Sequence, residues 1–213
     1  MIQKTIHHVW PGADAFRPEL HRFRESWMQH HPDWSFRFWR TDLGEGACDE
    51  VRALLADPRY SAVVKSDVAR FEVLRLHGGV YVDSDLECLR PFDELLGDAF
   101  FCGRESEGVL CPSLVGCVPG HPVSEGMVRA ALDGIRKLGP EQVNARPNEV
   151  TGPLLLTELA RDRGDVRVYP ESHFYPIPWW ETHRLQEPTP GAYAKHWWNG
   201  ATSPEGWTHN PWA

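Results

Sequence analysis

Two acidic residues, Asp83 and Asp85, are separated by one serine in the stretch VYVDSDLE. On a strand, residues two positions apart point to the same face, so the two carboxylates would lie close together. Buried carboxylates without a partner are costly, and the pair therefore needs a cation or solvent. Mg²⁺ and Mn²⁺ prefer carboxylate oxygens and keep positions open for phosphate. The spacing predicts a metal site, although two surface acids at a solvated strand end would give the same pattern.

A second charged pair precedes this motif. Asp67 and Arg70 are three residues apart on a predicted helix and so share one face. We interpret Asp67 as an acceptor for a ribose or sugar hydroxyl and Arg70 as a donor to a sugar or phosphate. A surface ion pair of little energetic value is the alternative. Tyr81 is predicted on the strand face that carries the two carboxylates, which favours a functional role over packing.

The elements that must position these residues are a helix and a strand. Apolar residues recur at helical spacing over 61–76, and the glycines after His77 end that helix. The strand predicted over Val80–Leu86 would bring both carboxylates to its carboxyl end, where ligands bind in open α/β sheets. Further strands are predicted over 4–10, 35–39, 113–118 and 165–169, and further helices over 18–31, 47–57, 123–138 and 152–162. The alternation predicts an α/β fold with a mixed, mostly parallel sheet flanked by helices.

The composition is that of one folded domain over residues 1–213, with 41% apolar and 24% charged residues. A net charge of -8 makes a nucleic-acid partner unlikely without excluding one. No apolar run is long enough for a transmembrane segment, and the N-terminus has no signal-peptide core. The five cysteines contain no C-x-x-C pair. We therefore expect a cytoplasmic protein and leave peripheral attachment to a membrane open.

Tryptophans concentrate at the two ends of the chain. Four of the ten lie in residues 1–39 and six in residues 179–213. Large aromatic side chains in both places predict that the ends meet, in a core or around a pocket. The Trp- and Pro-rich segment from about 170 to 213 is predicted to be irregular and to close the site.

The stretch AVVKSDVARFEVLRLHGGVYVDSDLECLRPFDEL resembles the signature of the DXD-motif sugar transferases of glycosyltransferase family thirty-two. That family includes capsular polysaccharide transferases and fungal mannosyltransferases, and the catalytic core of clostridial glucosylating toxins is similar. The likeness continues in TIHHVWPG, HPDWSFRFW, PGHP, VTGPLLLT and YAKHWW, and so spans residues 5–200. It implies a GT-A fold, an α/β domain that binds a nucleoside-diphosphate sugar.

The resemblance also implies roles for individual residues. Donor-binding residues would be Val9, Trp10, Asp67, Arg70, Tyr81, Asp83 and Trp198, with Val9 and Trp10 against the nucleotide base. Metal ligands would be Asp85, Asp83, His196 and Asn199, and the catalytic set would be Asp83, Asp85 and Arg70. From the residues alone, Trp10 fits a core aromatic better, and His196 fits an incidental tail histidine equally well.

The function implied is a metal-dependent, retaining transfer of a sugar from a UDP- or GDP-sugar to an acceptor hydroxyl, in glycan or polysaccharide synthesis. Mn²⁺ or Mg²⁺ would be the cofactor, and a glycan or glycolipid the acceptor. Two alternatives stay open. One is a non-catalytic sugar-nucleotide or carbohydrate binder, supported by departures from the family pattern at Pro112 and after Asn199. The other is a phosphohydrolase with an aspartyl nucleophile, although such enzymes usually carry D-x-D on their first strand.

Overall fold

The computed structural model describes residues 1–11 and 16–199. The strands are β1 (Thr5–Val9), β2 (Ser35–Trp39), β3 (Gly79–Val82), β4 (Leu86–Cys88), β5 (Phe100–Ser106), β6 (Val109–Cys117), β7 (Arg167–Tyr169) and β8 (Ala194–His196). The α-helices are α1 (His21–His30), α2 (Asp49–Ala56), α3 (Ala62–His77), α4 (Pro122–Ala145), α5 (Pro147–Val150), α6 (Pro153–Ala160) and α7 (Glu171–Phe174). Short 3-10 helices cover Pro18–Leu20, Asp93–Gly97 and Trp179–Arg184.

Six of these strands form one sheet in the order β2-β1-β3-β6-β5-β7. β1 runs parallel to both β2 and β3, and β5 runs parallel to β7. β6 is antiparallel to β3 and to β5, so it alone opposes the direction of the other five. The predicted mixed, mostly parallel sheet is therefore confirmed. β4 and β8 form a separate antiparallel pair.

The two faces of the sheet are covered by different cores. Alternate strand residues such as Val9 and Tyr81 enter the core formed with α2, α3, α4 and α6. Residues that face the other side of these strands, such as Ile6 and Val80, enter the opposite core, which contains Trp27 of α1 together with Phe174 and Ala194. The helices predicted over 18–31, 47–57, 61–76 and 152–162 and the strands predicted over 4–10, 35–39 and 165–169 are present with small changes at their ends.

The second core joins the two Trp-rich regions, as expected. Trp27 and Trp34 share this core with Trp198. Phe23 lies 5.6 Å from Trp197 between ring centroids. Trp207 and Trp212 lie outside the described residues. The described part of the C-terminal segment contains α7, a 3-10 helix and β8, so the expectation of irregular structure there is wrong in part.

The junction between α3 and β3 depends on two glycines. α3 begins at the N-cap Ser61, whose Oγ accepts a hydrogen bond from the Val64 N–H at 3.3 Å. It ends at Gly78, where φ is 61°. A Cβ at Gly78 would lie 2.6 Å from Pro119 Cδ, and one at Gly79 would lie 2.7 Å from the Thr5 carbonyl oxygen. Only residues without a side chain fit this close approach, which fixes α3 relative to the sheet.

Three sequence-based boundaries need correction. The strand predicted over Val80–Leu86 ends at Val82, and Asp83–Asp85 form a turn that the Leu86 N–H closes by donating to the Asp83 carbonyl at 3.1 Å. Because Val80 and Val82 are fully buried inside the sheet, the following carboxylates leave the ladder at its edge. β6 begins earlier than the predicted 113, and the predicted helix over 123–138 extends to Ala145 across a break at Gly139.

Candidate active site

The turn Asp83–Asp85 lies at the carboxyl end of β3, next to the carboxyl end of β1. The Asp83 N–H donates to the Ser113 carbonyl at 2.8 Å, which ties the turn to β6. β4 follows the turn and pairs with β8, with Leu86 opposite His196. This pairing brings the C-terminal region back to the acidic motif across more than half of the chain.

Asp85 is held by residues of the C-terminal region. One carboxylate oxygen lies 3.0 Å from His196 Nε2, and the other accepts the Asn199 backbone N–H at 2.8 Å. Burial favours the neutral carboxyl, but the charge and hydrogen bond of His196 outweigh it, so the pKa of Asp85 is lowered. Burial likewise disfavours the imidazolium, but Asp85 raises the pKa of His196 above its usual value.

Three of the predicted ligands form a group that fits a divalent metal. Ligand atoms of Asp83, Asp85 and His196 all lie within 4.8 Å of one another. Two carboxylates and one imidazole suit Mn²⁺, whereas Mg²⁺ favours oxygen ligands. The Asn199 backbone N–H binds Asp85, so this residue supports a ligand through its main chain. No other such group of His, Cys, Asp and Glu occurs within 1–11 and 16–199.

Arg70 connects α3 to the acidic turn. It lies 3.0 Å from Asp67 and 3.4 Å from Asp83, and it donates to the Pro112 carbonyl at 3.0 Å. Only 5% of Arg70 and 6% of Asp67 is exposed, so the alternative of a surface ion pair is wrong. Burial favours the neutral form of Arg70, yet Asp83 and Asp67 keep its pKa above the usual value. Pro112, a departure from the family pattern, thus serves the site through its carbonyl.

Asp67 and Tyr81 complete this buried network. Burial raises the pKa of Asp67 to about 6, although Arg70 and a hydrogen bond from Thr151 oppose the shift. The Thr151 hydroxyl donates to Asp67 at 2.8 Å. The Tyr81 hydroxyl donates to Asp83 at 2.5 Å, and the Arg70 guanidinium lies 4.7 Å from the centre of the Tyr81 ring. Asp83 is therefore oriented by both Tyr81 and Arg70.

Trp198 covers the histidine of the metal group. Its ring lies 3.9 Å from that of His196 between centroids, and its Nε1–H donates to the Ile177 carbonyl at 2.8 Å. The backbone at Trp198 has φ of 51°, a left-handed conformation that is strained for a bulky residue. Such a conformation persists only where the surrounding contacts enforce it. At Trp198 it places the indole ring against His196.

Val9 ends β1 and Trp10 follows it, at the edge of the sheet where the acidic turn leaves β3. The Val9 side chain is buried in the core. Trp10 is half-buried, and its ring lies edge-on to Phe16 at 5.2 Å. Arg17 approaches the same indole at 6.0 Å. The predicted contact of these residues with a nucleotide base stays a prediction. Gly12 and the departure at Gly200–Thr202 lie outside the described residues.

Sequence reasoning missed two polar residues of the site. Thr151 precedes α6 within the quoted VTGPLLLT, and its spacing from Asp67 gives no signal of contact. Glu105 lies in β5, a strand that was not predicted, and burial raises its pKa. Both reach the site only because distant parts of the chain pair in the fold.

The sheet with its flanking helices has the fold of GT-A-like glycosyltransferase domains. A solved structure described as "PaToxG Glycosyltransferase" has this fold, with a TM-score of 0.55 at 15% identity over 74% of this chain and 68% of its own. Residues 18–101 match the family described as "Glycosyltransferase sugar-binding region containing DXD motif". Residues 18–101 thus match a DXD-motif glycosyltransferase family, as the sequence predicted.

Curated relatives from Schizosaccharomyces pombe extend the match. Inositol phosphoceramide mannosyltransferase 2 is 25% identical over 207 residues, which is 92% of this chain and 51% of the relative. Inositol phosphoceramide mannosyltransferase 1 is 30% identical over 166 residues, which is 73% of this chain and 50% of the relative. The chain thus spans about half the length of both. Within 1–11 and 16–199, no helix has the length and apolar character needed to cross a bilayer.

Proposed function

We propose that the protein transfers a sugar from a UDP- or GDP-sugar to an acceptor hydroxyl and requires Mn²⁺ or Mg²⁺. The observation that carries this proposal is the group of Asp83, Asp85 and His196. The group occurs in a chain whose fold and family match are those of sugar transferases. The bound ion would offset the negative charge of the departing diphosphate. These three side chains would hold it.

The other residues prepare the site for a diphosphate and its sugar. Arg70 adds a buried positive charge beside Asp83, where charge stabilisation is strongest because water is excluded. Thr151 and Arg70 fix the Asp67 carboxyl, which leaves it oriented to accept a hydroxyl hydrogen bond. Trp198 shields His196 from solvent on one side.

The relatives support a glycan or glycolipid as the acceptor. Two of them are named inositol phosphoceramide mannosyltransferases, which points to a nucleoside-diphosphate mannose as the first donor and inositol phosphoceramide as the first acceptor to test. We further propose retention of the anomeric configuration, as the family resemblance implies. The five cysteines are free thiols, which favours a reducing compartment, and we propose that the protein acts in the cytoplasm.

Calorimetric titration of UDP- and GDP-sugars with Mn²⁺, and again with EDTA, tests this function. We expect one donor to bind only with the metal. Asp85→Asn removes a metal ligand and should weaken donor binding about 100-fold or more, since a missing ligand leaves the ion poorly held. Asp162→Asn changes an exposed acid and is the matched control. Metal-independent binding, or no binding of any donor, would contradict the proposal, and binding without turnover would favour the non-catalytic alternative.

A further inference from the structure

Glu105 occupies an irregular place in the antiparallel pairing of β5 with β6. Arg104 pairs with Leu110, and Ser106 pairs with Val109, so Glu105 has no partner in the register. It is the extra residue of a β-bulge, a feature that often redirects a side chain beside an active site. The same ladder shifts again between Cys102 and Gly103, opposite the residues of β6 that contact the acidic turn.

The contacts of Glu105 lead directly to the candidate active site. Its carboxyl is close enough to the Cys111 thiol and to His196 to interact with both electrostatically. The Cys111 thiol also lies 3.3 Å from the Ser113 hydroxyl. Because the Ser113 carbonyl accepts the Asp83 N–H, Glu105 is joined to the acidic turn through β6.

Glu105 has no ion pair among the described residues, although His196 lies nearby. Arg70 pairs with Asp67 and Asp83. His196 Nε2 pairs with Asp85, while His196 Nδ1 is buried and has no hydrogen-bond partner in the described part of the chain. Glu105 is half-buried and has no cation partner in this part of the chain, so its carboxyl can still accept hydrogen bonds from a ligand. A ligand hydroxyl group would donate a hydrogen bond to the Glu105 carboxylate.

We propose that Glu105 binds hydroxyl groups of the transferred sugar and thereby sets the selectivity of the site for that sugar. The inference rests on the proposed function, in which the diphosphate is held beside His196. A carboxyl next to that position repels phosphate oxygens but accepts hydrogen bonds from sugar hydroxyls. The sugar is attached to the diphosphate, so it is the part of the donor that can lie against both Glu105 and His196.

The test compares a nucleoside diphosphate with its sugar conjugate, because only the conjugate reaches Glu105. Calorimetry in Mn²⁺ gives both affinities for the wild type, Glu105→Gln, Glu105→Ala and the control Glu107→Gln, which changes an exposed acid of the same hairpin. We expect both Glu105 variants to bind the conjugate about 10- to 100-fold more weakly, as for loss of a hydrogen bond to a charged group. Binding of the free diphosphate should change by less than about twofold.

A panel of donors that share one base but differ in the sugar provides the second readout. We expect the wild type to favour one sugar and Glu105→Gln to lose most of that preference. Equal weakening of diphosphate and conjugate would overturn the inference in favour of a structural role. Unchanged donor binding with a raised KM for the acceptor would also overturn it. A wild type that binds no nucleotide in Mn²⁺ would instead refute the proposed function itself.

Discussion

Arg70 shows what a single residue does at this site. It contacts Asp67, Asp83 and the Pro112 carbonyl at once, and its own side chain is buried. A planar guanidinium can donate in several directions, whereas an ammonium group at the end of a lysine is a point charge. The importance of Arg70 therefore lies in geometry as well as charge.

Arg70→Lys should keep the fold and impair the site. The buried positive charge remains, so Asp67 and Asp83 keep a cation partner. The several N–H donors of the planar guanidinium are lost. We expect donor affinity to fall about 10- to 100-fold, measured by calorimetry in Mn²⁺. Arg129→Lys, at an exposed position of α4, is the control and should bind donor like the wild type. Wild-type affinity in Arg70→Lys would mean that charge alone suffices.

Most of the polar network at the residue scale could be predicted because it is local in sequence. Asp67, Arg70, Tyr81, Asp83 and Asp85 all lie on one helix, one turn and one strand. His196 was reached only through the family resemblance, since one histidine among eleven gives no signal by itself. Its contact with Asp85 depends on the pairing of β4 with β8, which residue spacing does not reveal.

At the scale of elements, the sequence predicted the helix–glycine–strand unit but extended the strand too far. The alternation of apolar and acidic residues continues from Val80 to Leu86, and this pattern is typical of a strand. The structure ends β3 at Val82 because the central position of the strand has no room for a carboxylate on either face. A turn brings the ligand atoms of Asp83 and Asp85 together equally well.

Gly78→Ala tests how strongly this unit depends on its junction. A Cβ at Gly78 would meet Pro119 Cδ at 2.6 Å, and the φ of 61° is unfavourable for alanine. We expect the free energy of unfolding to fall by about 2–4 kcal/mol, from backbone strain together with overpacking. Urea denaturation measures the change.

Gly164→Ala serves as the control for that measurement. Nothing lies within 4 Å of a Cβ built at Gly164, so its free energy of unfolding should change by less than about 0.5 kcal/mol. Equal effects of the two substitutions would show that the close packing of Gly78 on Pro119 contributes little to the junction.

At the scale of the whole molecule, buried histidines lie on both faces of the sheet. His7 and His8 are adjacent on β1 and so face opposite sides of the sheet. Burial, reinforced for His7 by His77 and for His8 by Arg24, lowers the pKa of each to about 3. Both rings are therefore neutral in the folded protein. The sequence could not predict this, because the burial comes from helices on both faces of the sheet.

These two histidines make stability depend on pH in a definite direction. In the unfolded chain they bind protons below pH of about 6.5, whereas in the folded chain they resist protonation until about pH 3. Their contribution to the free energy of unfolding is complete above the pKa of the unfolded chain. It is lost as the pH falls from about 6.5 towards about 3. Asp67, with its pKa raised to about 6, acts in the opposite sense, because the folded state takes up its proton first.

His8→Leu should make the free energy of unfolding less sensitive to acid. Replacing this buried imidazole by an apolar side chain removes one proton uptake on unfolding. Between pH 6 and pH 5, urea denaturation should show a loss of stability smaller than that of the wild type by about 1 kcal/mol. His183→Leu, at an exposed position, should leave the pH dependence unchanged. A wild-type slope in His8→Leu would mean that His8 already binds a proton in the folded protein, and that the core at this end of β1 admits water.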